Sequence, residues 1–336
     1  MKIAVVGAGL AGFSVSNFLL DVEGVEVTLF DAKGPGAGGS GVSTGLMHPF
    51  AGRRALRSWR ASEGMEASWN LIAQAEKALG LPVASRGGIL RLALSERQEL
   101  DFQMRAQVDS DAVWCDREQV ALKAPLAVCA PGLWIPNAGT VYARRYMEGL
   151  LCLGLSKGLK FEQREIQSTE ELRDFDQIVL CTGYNTSLFA KCSHLQLEPT
   201  KGHALRCRWS GTPLAFSLIG NGHISLSEDR DFCYLGSTYE HGFDHLSPNV
   251  GQVEQMMQKI CGFYPEASRF EVVDVLVGAR TSILHGYRPV VQQISKKTWV
   301  FTGLGSRGLL YHALLGRELA IEMAQRVGSL TCCPPA

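Results

Sequence analysis

The stretch Lys2-Ile3-Ala4-Val5-Val6-Gly7-Ala8-Gly9-Leu10-Ala11-Gly12 opens the chain, and Val27-Thr28-Leu29-Phe30-Asp31 answers it a short distance on. Lys2 to Val6 is a short β-branched run that stops at a glycine. Leu10, Phe13, Val15, Phe18 and Leu19 then recur at helical spacing. Val25, Val27, Leu29 and Phe30 read as a second strand. Neither strand shows a polar face, which fits a parallel sheet covered on both sides. Residues 2–31 are therefore a βαβ unit.

The glycines fall where this unit turns from strand to helix, and that context gives Gly7-x-Gly9-x-x-Gly12 its meaning. Gly7 permits the tight turn. Gly9 lets backbone approach a pyrophosphate, and Gly12 lets helix pack close to strand. Phosphates then sit at the helix N-terminus, where free N–H groups and the dipole favour anions. Asp31 ends the second strand, where an acid bonds ribose hydroxyls and disfavours a 2′-phosphate. The reading is a Rossmann-type dinucleotide site. The fingerprint by itself does not separate FAD from NAD.

Outside this unit the sequence is balanced. Lys+Arg and Asp+Glu both number 33, so bulk charge makes no case for a nucleic-acid binder. The 336 residues, 46% of them hydrophobic, suffice for two joined lobes. No leader pattern precedes the first strand, and no apolar run has the length of a membrane span. A cytoplasmic protein is expected. The ten cysteines include no C-x-x-C pair. They are expected to be reduced, buried thiols, and no metal site is expected. Cys332-Cys333 belongs to a short tail, 331–336.

The fold class is α/β. Pro35 to Gly45 is a glycine- and serine-rich loop. Helices are expected at 58–79, 96–107, 142–155 and 249–261, with a last one running to about Arg326. Strands are expected at 86–94, 159–163, 177–181, 203–209, 214–219, 223–227, 232–238 and 297–302. The nucleotide lobe is thus discontinuous, built from 1–82, 140–198 and 278–330. An α+β substrate lobe with a mixed or antiparallel sheet is inserted as 83–139 and 199–277.

Further motifs occur in a fixed order: Gly38 to Gly45; Gly132 to Val141 with Tyr142-Ala143-Arg144; Asp176 to Gly183; Glu198-Pro199-Thr200-Lys201-Gly202-His203; Tyr234 to Glu240; Gly278-Ala279-Arg280; and Thr302 to Leu310. In this order they resemble the D-amino-acid-oxidase-like (DAO) FAD-dependent oxidoreductases over nearly the whole chain. The resemblance implies FAD as cofactor. It places FAD against Gly7, Gly9, Leu10, Ala11, Gly12, Asp31 and Ala32 of the first unit. From the second loop it adds Gly39, Ser40, Ser43, Thr44, Gly45, Met47 and His48. Thr182 and Gly183 follow, then Gly303, Gly305, Ser306, Arg307, Gly308 and Leu309 of the closing turn.

The family chemistry so implied is oxidation of a C–N bond in a small-molecule amine or amino acid. Hydride passes to the flavin N5, and the imine hydrolyses. Arg280 is the expected carboxylate clamp, because a guanidinium fork binds that group with two parallel bonds. Arg307 and Tyr234 are further substrate candidates. Tyr234 and Tyr239 have odd spacing, so a regular strand points them to opposite faces. A non-catalytic flavoprotein has no need of Arg280. A simple NAD dehydrogenase has no use for the second loop or the closing turn.

Gly303 to Leu309 most resembles one branch, the oxidoreductase domain of bifunctional tRNA-wobble-uridine modification enzymes, which oxidise a carboxymethylaminomethyl group. The chain departs from it in its zero net charge and in Gly286 to Val291, which lacks a usual glycine. Arg53, Arg57 and Arg60 share one face if helical, with Arg54 nearby. They are either a landing strip for tRNA phosphates, or a solvated helix face or contacts to an acidic lobe.

Overall fold

In the computed structural model the opening strand, Lys2–Val6, is buried from Ile3 onward. It pairs in parallel with Glu26–Phe30 on one side and Gln177–Leu180 on the other, Val6 lying opposite Phe30 and Leu180. The sheet is completed in the order Lys160–Glu162, Glu26–Phe30, Lys2–Val6, Gln177–Leu180, Thr298–Thr302, Val290–Gln293, of which only the last strand runs antiparallel. Residues 1–284 and 288–326 are described. Gly286-Tyr287, Cys332-Cys333 and the tail 331–336 lie outside them.

The strands carry no polar face because both faces are covered. Ile3, Val5, Val27, Leu29, Val179 and Phe301 point into one core, and Ala4, Val6, Phe30, Ile178, Leu180 and Val300 into another. That alternation is the period of two expected of a strand. The helix Leu10–Leu19 is buried along nearly its whole length. It packs on the closing helix Gly308–Arg326 so tightly that a Cβ on Gly316 would lie 2.5 Å from Ser14 Oγ. The helix Ala61–Leu79 meets the same helix, with Gly64 against the Leu310 carbonyl.

The second lobe is an eight-stranded mixed sheet. Its order is Glu271–Ile283, Leu197–Arg208, Phe232–Gly236, Gly222–Leu226, Ser217–Gly220, Ile89–Leu92, Gly132–Ile135, Val113–Cys115. Only the Ser217–Gly220 and Ile89–Leu92 pair is parallel. Leu90, Leu205, Leu218, Ile224 and Leu235 face a core with Met256 and Ile260 of the helix Val250–Cys261. The opposite face roofs the nucleotide lobe.

The expected helix at 58–79 begins later, at Ala61, because Arg60 adopts the left-handed conformation with φ 47°. The residues before it form a hairpin of Phe50–Ala51 and Leu56–Arg57. Arg53, Arg54, Arg57 and Arg60 therefore share no helical face. The strand Glu271–Ile283 carries no helical or turn signal in its sequence, yet at thirteen residues it is the longest described strand.

Candidate functional site

A cleft opens where the central strands end. Lys2–Val6 runs into Gly7, Gln177–Leu180 into Cys181 and Thr298–Thr302 into Gly303, so three carboxyl ends meet, the usual ligand position in an α/β sheet. The cavity volume is about 430 Å³, within the range of small-molecule sites.

The glycines are explained by contacts. A Cβ on Gly12 would lie 1.8 Å from the Gly7 carbonyl oxygen, and Gly7 has φ +107° against the Cys181 carbonyl. These two glycines fit strand to helix and do not line the cleft. Gly9, Leu10 and Ala11 do line it. The helix starts at Gly9 with no side-chain cap, so its first N–H groups face the cleft as donors for an anion. Ser40 Oγ accepts one of them, from Leu10 N at 3.1 Å, and brings the second loop against the first.

Gly39, Ser43, Thr44, Met47 and His48 line the cleft, as do Gly183, Gly303, Gly305, Ser306, Arg307, Gly308 and Leu309. Five expected residues stand back from it. Asp31 is turned toward the backbone: Oδ2 accepts from Ala8 N at 2.8 Å, and Oδ1 accepts from Lys33 N and Gly34 N at 2.9 Å. Three of roughly four acceptor sites on the carboxylate are thus engaged. Ala32 is exposed beside it. Gly45, with φ +81°, lies against the Val141 carbonyl. Thr182 Oγ1 meets Thr186 Oγ1 at 3.1 Å. Tyr234 borders a separate small cavity with Tyr142, Arg144 and Glu228. Tyr239 lines the main cleft in its place.

Arg280 enters the cleft from the long strand Glu271–Ile283, opposite Thr200. Its Nη2 donates to the Thr238 carbonyl at 2.7 Å, and its guanidinium lies 4.1 Å from the Tyr239 ring centre. Its Nε is buried with no partner. Burial, partly offset by Tyr239, holds its pKa below the usual arginine value. His203 fixes the Thr238 segment. Asn249 N donates to His203 Nε2 at 2.9 Å, so Nδ1 carries the proton of the neutral ring and faces Thr238 Oγ1 at 2.6 Å.

Arg91, His203 and His223 are cleft residues that the sequence did not single out. His223 Nε2 lies 2.7 Å from Thr44 Oγ1. Burial, then the Arg280 charge, pushes its pKa down to about 4. His48 is pushed down to about 3, first by burial, then by Arg91, Arg307 and His223. Both rings are therefore neutral at neutral pH. Among the described residues no aspartate or glutamate lines the cleft, while Arg91, Arg280 and Arg307 all do.

A family model described as FAD dependent oxidoreductase (DAO) matches residues 2–321. The chain belongs to this family. It is an FAD-dependent oxidoreductase, and the uncapped helix, the Ser40 loop and the glycine-lined closing turn fit that cofactor. A glycine oxidase from Geobacillus kaustophilus has the same fold, with a TM-score of 0.84, 18% identity, and coverage of 97% of this chain and 95% of that one. Among curated proteins, the tRNA 5-methylaminomethyl-2-thiouridine biosynthesis bifunctional protein MnmC of Methylobacillus flagellatus is 29% identical over 72% of this chain and 39% of its own length. The protein of the same name from Azoarcus sp. is 37% identical over 96% of this chain and 56% of its own length. The chain thus spans about half or less of these curated relatives.

The cleft arginines, Arg91, Arg280 and Arg307, are distinct from the cluster Arg53, Arg54, Arg57 and Arg60. Arg57 pairs bidentately with the buried Asp109 at 2.5 and 2.6 Å, and with Asp111 at 2.8 Å. Arg60 pairs with Glu63 and Glu318, each at 2.6 Å, and Arg54 reaches Asp101 at 3.4 Å. Three members of the cluster are engaged in ion pairs within the chain, Arg54 and Arg57 with acids of the segment 83–139 and Arg60 with acids on two helices. No helix among the described residues is long and apolar enough to cross a membrane.

Proposed function

We propose that this DAO-family enzyme oxidises the C–N bond of an amine or amino acid that carries an acidic group. The observation that carries this reading is the sign of the cleft: three arginines and no carboxylate. Arg280 holds the acid. Its guanidinium has five donors, of which the Thr238 carbonyl takes one. The Tyr239 ring stacks on it and orients its plane.

The same charges prepare the amine. A cationic cleft disfavours an ammonium group, so the substrate nitrogen binds in its neutral form, with its lone pair free. His48 and His223 add no positive charge of their own at neutral pH. When bound, FAD would supply the acceptor for the hydride, which carries both electrons away from the carbon next to nitrogen. Leu309, Met47 and the closing turn wall the reacting region with apolar surface.

An absorption spectrum of the purified protein, followed by anaerobic addition of amines, tests this. Bleaching by glycine, sarcosine or another amino acid is expected. A flavin that no acid-bearing amine reduces overturns the reading. A second reading, oxidation of a carboxymethylaminomethyl group on a tRNA wobble uridine, is favoured by the names of the curated relatives. It requires the same Arg280 contact with the carboxymethyl group. Bleaching by undermodified tRNA, and by none of the free amines, is the result that would establish it.

A further inference from the structure

The described sheet carries a second cation on the face that roofs the cleft. Arg91 is 6% exposed and lines the cleft. Its Nη2 donates to the Gly52 carbonyl at 2.6 Å, its Nη1 to the Phe50 carbonyl at 3.5 Å, and its Nε has no partner. No acidic residue pairs with it among the described ion pairs. A buried charge without a counterion costs several kcal/mol. Two carbonyls satisfy donors but do not neutralise charge. An anion bound in the cleft would supply that counterion.

The register places Arg91 relative to Arg280. Arg91 lies opposite Ile219, Ile219 opposite His223, His223 opposite Gly236, and Gly236 opposite Ala204. One row of residues thus crosses the roof. The Arg280 head lies at the other side of the roof, over Gly202, where a Cβ would be 2.8 Å from Nη2. Four interstrand spacings separate the strands of Gly202 and Arg91, roughly 19 Å along a flat sheet. His48, which feels the Arg91 charge, and His223, which feels the Arg280 charge, are both neutral and line the same cleft.

We propose that Arg91 is a second anion subsite, so that the substrate amine bears two acidic groups, one close to nitrogen on Arg280 and one on a longer arm on Arg91. This rests on the amine-oxidation reading. It predicts an extended dianionic amine as the preferred substrate, larger than glycine. Arg91 would then set specificity by substrate charge rather than by the chemistry of the C–N bond.

Binding to the FAD-loaded protein is measured by perturbation of the flavin spectrum, with thioethers that cannot be oxidised as amines. The probes are (methylthio)acetate, carboxymethylthio-pentanoate, and the latter with its distal acid replaced by an amide. The diacid is expected to bind about tenfold more tightly than its amide, the value of one charge-assisted contact. Arg91→Gln removes that difference and leaves (methylthio)acetate affinity unchanged. Equal affinity of diacid and amide in the wild-type protein overturns the subsite without recourse to any variant. So does an Arg91→Gln protein that loses both ligands equally. Amines that bleach the flavin with no preference for a second acid overturn the subsite and leave amine oxidation standing. A diacid preference in a protein that no amine reduces overturns amine oxidation and keeps the subsite.

Discussion

Single residues in this protein act through the company they keep. Arg280 is spent partly on the Thr238 carbonyl and partly on the Tyr239 ring, and that leaves its remaining donors aimed. Arg280→Met is expected to weaken binding of a carboxylate-bearing amine by roughly tenfold to a hundredfold, the worth of one or two charged hydrogen bonds. Titration of the flavin spectrum measures it. The loss is expected in affinity more than in the rate of flavin reduction at saturation.

His312 shows the same dependence in the core. It is fully buried, its Nε2 accepts from the Tyr146 hydroxyl at 2.7 Å, and its Nδ1 donates to the Gly308 carbonyl at 3.0 Å. Burial pushes its pKa from the usual 6.5 down to about 4. The unfolded chain therefore binds a proton where the native one does not, and stability falls as pH drops from about 6.5 toward 4. Proton NMR of the His312 ring is expected to show no charging above about pH 5.

Elements meet at distances that glycine alone allows. The helix Leu10–Leu19 can follow its strand closely because Gly12 faces the Gly7 carbonyl with no side chain between them. Gly12→Ala puts a carbon 1.8 Å from that oxygen. The oxygen belongs to the backbone and cannot swing aside, so the helix must move. A destabilisation of about 2 kcal/mol is expected, with a lower ratio of flavin to protein after purification. An unchanged flavin content with unchanged melting would show that the strand–helix contact does not position the cofactor.

At the scale of the molecule, ion pairs tie together segments distant in sequence. Arg57 of the hairpin holds Asp109 and Asp111 beyond the helix Glu96–Val108, and Arg60 holds Glu318 of the closing helix. Arg57→Ala leaves Asp109, whose side chain is 6% exposed, with Arg105 at 3.7 Å as its remaining described ion pair. Urea unfolding is expected to show a loss of about 1–3 kcal/mol. The same variant is expected to leave any tRNA affinity unchanged when measured by filter binding across salt concentrations. A steep loss of tRNA affinity with no loss of stability would reverse that assignment.

The βαβ unit, the glycine fingerprint and the order of the later motifs were legible in the sequence, because strand period, helix period and tight turns are local properties. The second loop was legible for the same reason: small residues close to a turn. The hairpin before Ala61 was not, since its arginines mimic a helical face until Arg60 takes a left-handed conformation and distant acids claim the charges. Tyr234 and Tyr239 read as opposite faces of one strand, with Tyr234 the substrate candidate; the strand ends at Gly236, and Tyr239 lines the cleft in its place. Arg91 and His223 carry no local signal at all. Their place at the site follows from the order of strands in one sheet. Local chain chemistry determined the cofactor lobe, and only the tertiary pairing of strands far apart in sequence decided the charge of the cleft that receives the substrate.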